Sequence, residues 1–525
     1  MILQTAFREQ DPYPREVVES FKTRTRFKDV TWTIKGRPDG NYLLVYLANP
    51  TERLFRALNE TLQSISETNP YRERTTLLRR PTSPKERLQL PETQHLRTVL
   101  AESLTVTSHS FQEDFFARYI PSVFGAEEQI IADGNHIVYG RRGSGKSSLL
   151  AYLLNKLRPQ GAPHAWVAMQ TYAGRKDSQV IIDVLSEIAQ QLSIYNSGNA
   201  EIESIKTQLN LLAKAKRDSS HQIDRLLPKI RKAISPLAKN HDRIVIFLDD
   251  LHVIDQDLQS VLLAKLYSIC RDNRVFLKVS GIEQFTQNWN SSSRLGLETP
   301  HDAQVIRLDY NLTMPDKSKS HIQNILDAHA KYCGLPDINY ICGNGVLSRL
   351  AWVAAGVPRD ALYIFTQAIV RATVKNQKKV SITSVNEAAS EMAEEKLKDI
   401  QKDISGRHDK ARALLEEVRQ FCITGISAKR KNAFLVEIQN DNPKFTLIKE
   451  LIALRLLHVL HEGITPHQAG RRFMALMLDY GFYVGIRAAK SVELFQKEPR
   501  PFQAKELRKL PIFQLPKIND GAGDT

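Results

Sequence analysis

Between His136 and Leu150 the chain reads HIVYGRRGSGKSSLL: an apolar lead-in, a glycine-rich turn and an apolar run at helical spacing. Gly140, Gly145, Lys146 and Ser147 fit G-x-x-x-x-G-K-[ST]. That pattern requires a strand before it and a helix N-terminus after it, which restricts the surrounding fold. Glycines at 140, 143 and 145 let the backbone turn tightly enough for several N–H groups to point at one anion. The helix opening at Lys146 adds the positive end of its dipole. Gly140, Arg141, Arg142, Gly143, Ser144, Gly145, Lys146, Ser147 and Ser148 are therefore the expected cradle for a nucleotide's phosphates. Lys146 reaches the β- and γ-phosphates in such a cradle, and the Ser147 hydroxyl ligates Mg²⁺. A chance glycine turn would lack the matching flanks. ATP with Mg²⁺ is the expected cofactor.

About a hundred residues downstream, Ile244–Asp250 (IVIFLDD) is an apolar run ending in two carboxylates. A buried parallel strand reads this way, and the C-terminal ends of such strands carry the ligand chemistry of open α/β sheets. Asp249 is expected to hold Mg²⁺ through water, and Asp250 to orient or activate the attacking water. An isolated strand can equally end in an acidic turn; the upstream loop decides between the two. A further strand over residues 275–279 ends at Ser280, placed to hydrogen-bond the attacking water or the γ-phosphate, and residues 304–308 close the sheet. Arg294, between them, is either a surface cation or an arginine finger reaching a neighbouring subunit's nucleotide.

The flanks divide by pattern. Residues 1–66 suggest a small α+β accessory domain, with a hairpin across Gly36–Gly40 and a helix capped at Asn49 that buries Leu54, Phe55, Leu58 and Leu62. Residues 67–95 alternate prolines with arginines and read as a linker. The alternating strands and helices of 96–311 form the base, and 312–404 are helical. Within the latter, Pro358 begins a helix that places Arg359 in its first turn, where a cation opposes the dipole. In 405–490, a helix over 411–421, a second over 444–458, and strands over 459–464 and 472–478 follow one another. The last strand is apolar on both faces and must be covered by its own domain or a partner. Residues 491–525 form a tail whose Phe502, Ile512 and Phe513 could anchor on a partner.

Composition limits the partners. A net charge of +15 permits contact with nucleic acid or an anionic surface. Four cysteines without C-x-x-C spacing argue against a disulfide frame or zinc site. The first residues lack the basic-then-apolar pattern of a secretory signal and no run is long enough to span a membrane, so the expected location is cytoplasmic.

Taken together, GRRGSGKS, IVIFLDD, KVSG, AAGVPRDAL and KKVSITSVNEAASEM resemble the origin-recognition-type AAA+ ATPases and the neighbouring STAND signalling ATPases over roughly residues 110–490. The resemblance implies a P-loop AAA+ base with a parallel sheet, a helical lid over 312–404 and a C-terminal winged helix over 405–490. It assigns Arg359 as the lid arginine that reports the γ-phosphate, and Ser280 as the corresponding sensor on the base. Lys429, Arg430, Lys431, Lys444, Lys449, Arg471 and Arg472 become candidate DNA contacts, unless the winged helix binds protein instead. One departure stands out: origin-recognition ATPases usually carry Asp-Glu where this chain has Asp249-Asp250, which is closer to the STAND pattern and suits slow hydrolysis. Three functions are compatible with these features. The first is an ATP-dependent switch acting on DNA or a DNA-associated complex. The second is a STAND-like sensor in defence against foreign DNA, which oligomerises on ATP and works with a separate effector. The third is a partner-binding protein that holds ATP without turnover.

Overall fold

The computed structural model describes residues 11–80, 86–106, 113–175, 179–196, 200–214, 220–308, 312–403, 408–423, 432–439, 441–465, 471–482 and 499–515. The N-terminal unit runs α1 (Pro12–Thr25), β1 (Thr31–Arg37), β2 (Gly40–Leu47), α2 (Glu52–Ser64) and β3 (Thr75–Arg79). β1 and β2 form the expected hairpin, and β3 joins β2 in parallel. The expected linker is therefore structured over this stretch: Leu77 of β3 completes a core with Val17, Phe21, Leu43, Val45, Leu54 and Leu58. Apolar residues at alternate strand positions outweigh the local abundance of arginine and proline. The α2 helix starts after Thr51 rather than at Asn49, with no side-chain cap. Leu54 and Leu58 are buried as expected, whereas Phe55 is 42% exposed.

α3 (Pro91–Glu102) leads to the base: α4 (Ala126–Ile131), β4 (His136–Tyr139), α5 (Lys146–Leu157), β5 (His164–Ala168), α6 (Gln179–Ser193), α7 (Ala200–Lys214), α8 (Ser220–Asn240), β6 (Ile244–Asp249), α9 (Gln256–Cys270), β7 (Val275–Gly281) and β8 (Gln304–Arg307). The five strands form a parallel sheet in the order β8-β4-β7-β6-β5. Separate apolar clusters cover its two faces. Both sides being covered is why β6 is buried along its whole length, Asp249 included. β7 lies between the strand that leads into the glycine-rich loop and the strand that carries the carboxylates. The C-terminal ends of β4, β7 and β6 consequently meet at one edge.

The helices α10 (Pro315–Tyr332), α11 (Val346–Val353), α12 (Pro358–Val374) and α13 (Ile382–Asp403) follow. α14 (His408–Ile423), β9 (Ala433–Glu437), α15 (Pro443–Ala453), β10 (Leu457–Ile464) and β11 (Phe473–Leu478) complete the C-terminal part, with β12 (Ile512–Phe513) from the tail. These strands form one sheet in the order β10-β11-β9-β12. The helix expected over 444–458 is shorter: α15 stops at Ala453, after which Arg455 takes a left-handed φ of 65° and the chain enters β10. β11 is buried on both faces by its own domain. The tail also docks in cis. β12 pairs in parallel with β9, and the Phe513 ring meets Phe421 and Phe434 edge-on at 5.3 and 5.9 Å between centroids. One continuous core joins the helical region 312–403 to this C-terminal part. Among the described residues, no helix is long and apolar enough to cross a membrane.

Candidate nucleotide site

The loop after β4 turns as its glycines allow. Gly143 and Gly145 take positive φ of 83° and 98°, a region that side chains disfavour. At Gly143 the space is also closed: a Cβ there would come within 2.7 Å of the Arg359 Cβ. The Arg359 N–H donates to the Gly143 carbonyl at 3.3 Å. The first turn of α12 thus rests directly on the loop, although 216 residues separate the two positions in sequence.

Lys146 is buried, and its ammonium donates to the carbonyls of Gly140 at 3.2 Å and Arg141 at 3.4 Å. Burial lowers its pKa, against the pull of Asp250 and Asp249. The Ser147 hydroxyl donates to Asp249 Oδ1 at 3.0 Å, and the Ser280 hydroxyl donates to the same oxygen at 2.6 Å. Ser280 also accepts the Asp250 N–H at 2.8 Å. The start of α5 and the ends of β6 and β7 are joined through these two hydroxyls. Burial, reinforced by the neighbouring Asp250, raises the Asp249 pKa to about 6. A buried carboxylate held at such a cost is suited to a cation, and Ser147 with Asp249 is the pair that could hold Mg²⁺. Asp250 takes a left-handed φ of 62° and turns its Oδ1 to within 3.9 Å of Lys146 Nζ.

Part of the expected loop and one of the two carboxylates line a cleft of about 1100 Å³, whereas Gly140, Arg141, Asp249 and Ser280 are not among its lining residues. Arg142, Gly143, Ser144, Gly145, Lys146, Ser147, Ser148, Asp250 and Arg359 line it. Side chains the sequence did not single out line it as well, among them Tyr119, Glu127 and His321. Arg359 is exposed at the cleft wall; desolvation by its surroundings lowers its pKa, as does nearby Arg455. Arg294 does not join them. It is exposed at φ 55° between the short strands Trp289–Asn290 and Leu295–Gly296.

A second cluster escaped sequence reading altogether. Arg141 of the loop contacts His458 Nδ1 at 3.1 Å and donates to the Ala355 carbonyl at 3.2 Å. His458 Nε2 meets Asp479 at 2.9 Å, Lys396 lies 2.7 Å from Asp479 and 3.2 Å from Asp360, and Arg455 pairs with Asp360. His458, Asp479, Lys396, Asp360 and Arg455 are all buried. Burial pushes the His458 pKa down to about 4. Against burial, which raises it, Lys396 and His458 hold Asp479 well below the carboxylate range. The only local signals were polar residues in apolar settings, such as His458 in LHVL.

The candidate DNA contacts are scattered. Lys429, Arg430 and Lys431 lie outside the described residues. Lys444 and Lys449 are half-buried on α15, which packs against the turn Glu283–Phe285 of the base, and its Glu450 lines the cleft. Arg471 pairs with Glu437, while Arg472 is exposed.

Residues 128–277 match the AAA ATPase domain family. No curated protein matches the sequence. Among solved structures, the chain is similar to Cdc6p from Pyrobaculum aerophilum (14% identity, covering 73% of this chain and 95% of that one, TM-score 0.36). It is also similar to the Aeropyrum pernix ORC1 protein in complex with DNA (13%, 72% and 94%, TM-score 0.38) and to Drosophila ORC bound to DNA (16%, 75% and 99%, TM-score 0.33).

Proposed function

From a P-loop base of the AAA+ fold, we propose that this chain is an ATP-binding, slowly hydrolysing molecular switch acting on DNA or a DNA-associated complex. The observation that carries the reading is the seating of α12 on the glycine-rich loop, Arg359 N–H to Gly143 C=O. Any phosphate entering the loop meets Lys146 from the base and Arg359 from the helical lid at once. Those two cations lie on separate parts of the chain, so the charge of the bound nucleotide sets how firmly the parts are held together.

Within the cleft, Lys146 binds the β- and γ-phosphates and exchanges its two carbonyl partners for phosphate oxygens. Ser147 and Asp249 hold Mg²⁺, which when bound screens the phosphate charge. Asp250 orients the attacking water, and Ser280 holds the Asp249 carboxylate and the Asp250 backbone in register. The water oxygen bonds to the γ-phosphorus as the bond from that phosphorus to the bridging oxygen breaks; ADP leaves with the electron pair, and the water's proton passes through Asp250 to solvent. A carboxylate one methylene shorter than glutamate makes this step slow, so the ATP state persists. Arg294, on its exposed turn, is available to a neighbouring copy in an ATP-bound oligomer.

The C-terminal part supports a winged-helix reading, with α15 as the helix that would enter a groove and Lys444, Lys449, Arg471 and Arg472 as phosphate contacts. With α15 packed on the base, DNA contact requires this part to leave the cleft, which gives the switch its output. The same packing favours a second reading: a STAND-like sensor of foreign DNA whose released C-terminal part engages a separate effector protein.

Lys146→Ala tests the central claim. It should abolish ATP binding and turnover together, and a variant that keeps both would refute the reading. DNA affinity that falls steeply with salt only in the ATP state separates DNA binding from protein binding.

A further inference from the structure

Asp250 must do with a short side chain what a glutamate does with a longer one, and one residue beside it is poised to help. The His252 side chain is only 8% exposed, lines the nucleotide cleft, and has its Nδ1 3.8 Å from Asp250 Oδ1. That nitrogen is sealed from solvent and, among the described residues, makes no hydrogen bond. A buried polar atom without a partner is costly and calls for an explanation. In the observed arrangement Asp250 Oδ1 is shared between Lys146, at 3.9 Å, and His252. Nucleotide phosphates would draw Lys146 away, and His252 Nδ1 would remain beside Asp250 as a donor from within the cleft wall.

We infer that His252 is a positioning residue for hydrolysis: its Nδ1–H donates to Asp250 once nucleotide engages Lys146, and fixes the short carboxylate against the attacking water. The backbone favours this. Asp250 sits at a left-handed φ with its N–H held by Ser280, so its Cα is fixed and only the side-chain torsions remain to be set. Other charged groups near the imidazole are Lys146 and Arg142, both cations that disfavour its protonation. Burial and these cations hold its pKa down to about 4, so the ring is neutral and can keep one proton on Nδ1 at ordinary pH. A neutral donor orients Asp250 without taking the proton that the carboxylate must accept.

This inference rests on the hydrolysis reading, so the test measures ATP binding and steady-state turnover separately on the full chain. His252→Ala should lower kcat about 10- to 100-fold, the usual penalty for a reacting group displaced by about an ångström, while the Kd for ATP stays within about twofold, as expected when only transition-state contacts are lost. His252→Asn, whose amide nitrogen lies near the Nδ1 position, should restore most of the rate; His252→Gln, whose amide lies near Nε2, should not. In an Asp250→Glu background the longer carboxylate reaches the water unaided, so removing His252 should cost much less. A merely structural histidine would not distinguish Asn from Gln. Unchanged turnover in His252→Ala, or equal losses in the Asn and Gln variants with ATP binding intact, would overturn the inference. A wild-type chain that binds ATP and never turns it over would remove the hydrolysis reading and this inference with it, leaving ATP binding in place.

Discussion

Replacing Asp249 by asparagine isolates the cost of keeping this carboxylate buried. Asp249 is 9% exposed, beside Asp250, and receives hydroxyl donors from Ser147 and Ser280 on one oxygen. Asparagine keeps that acceptor oxygen and stays neutral at every pH. Burial and Asp250 raise the carboxyl pKa from 3.8 to about 6. The folded protein therefore holds the proton more tightly than the unfolded chain. Its contribution to stability is complete below the unfolded value and disappears as pH rises through the folded one. A shift of about 2 units, at about 1.4 kcal/mol each, amounts to about 3 kcal/mol once Asp249 is ionised. Thermal denaturation without nucleotide and with a chelator should show the two proteins converging near pH 4. Asp249→Asn should gain over the wild type between about pH 4 and 6, reaching a lead of about 1–3 kcal/mol that is steady by pH 8, or roughly 2–4 °C per kcal/mol for a domain of this size. Adding Mg²⁺ with ATP should then stabilise the wild type more than the variant. A lead that does not change from pH 5 to 8, or a variant less stable than the wild type at pH 8, would refute the argument.

Asp360→Ala leaves the buried Arg455 without its carboxylate and strips Lys396 of one of two. Loss of about 3–5 kcal/mol in urea denaturation is expected for breaking such a pair from one side. Phe513→Ala removes the ring that packs against Phe421 and Phe434; limited proteolysis should then cut the tail at least several-fold faster, with the base still protected. Arg294→Ala should leave the Kd for ATP unchanged, because Arg294 does not line its own cleft, while any rise of specific turnover with protein concentration should disappear.

The glycine-rich loop, the buried strand ending in Asp249-Asp250 and the helix beginning at Pro358 were all legible in the sequence, because each is written in consecutive residues. Glycine, proline and alternating apolar residues act on backbone torsions a few positions away, and that range matches the length of the motif. The same local reading failed at residues 75–79, within the expected linker. Arginine and proline dominated the composition of that linker, while the few apolar side chains of β3, Leu77 above all, found a core built by α1 and α2. It failed likewise for the tail, whose aromatic residues suggested an external partner until β9 supplied one within the chain.

What the sequence determined by itself is the glycine-rich turn and the pair of carboxylates after a buried strand, since both follow from short spacings in consecutive residues. The tertiary structure alone decided that Arg359 rests on Gly143, that His458 meets Arg141, and that His252 faces Asp250 with an idle nitrogen. Two of these contacts join residues more than two hundred positions apart, and the third depends on a left-handed turn at Asp250. The physical reason is that a charge or a ring nitrogen acts on whatever folding brings within a few ångströms, and separation along the chain does not encode that distance.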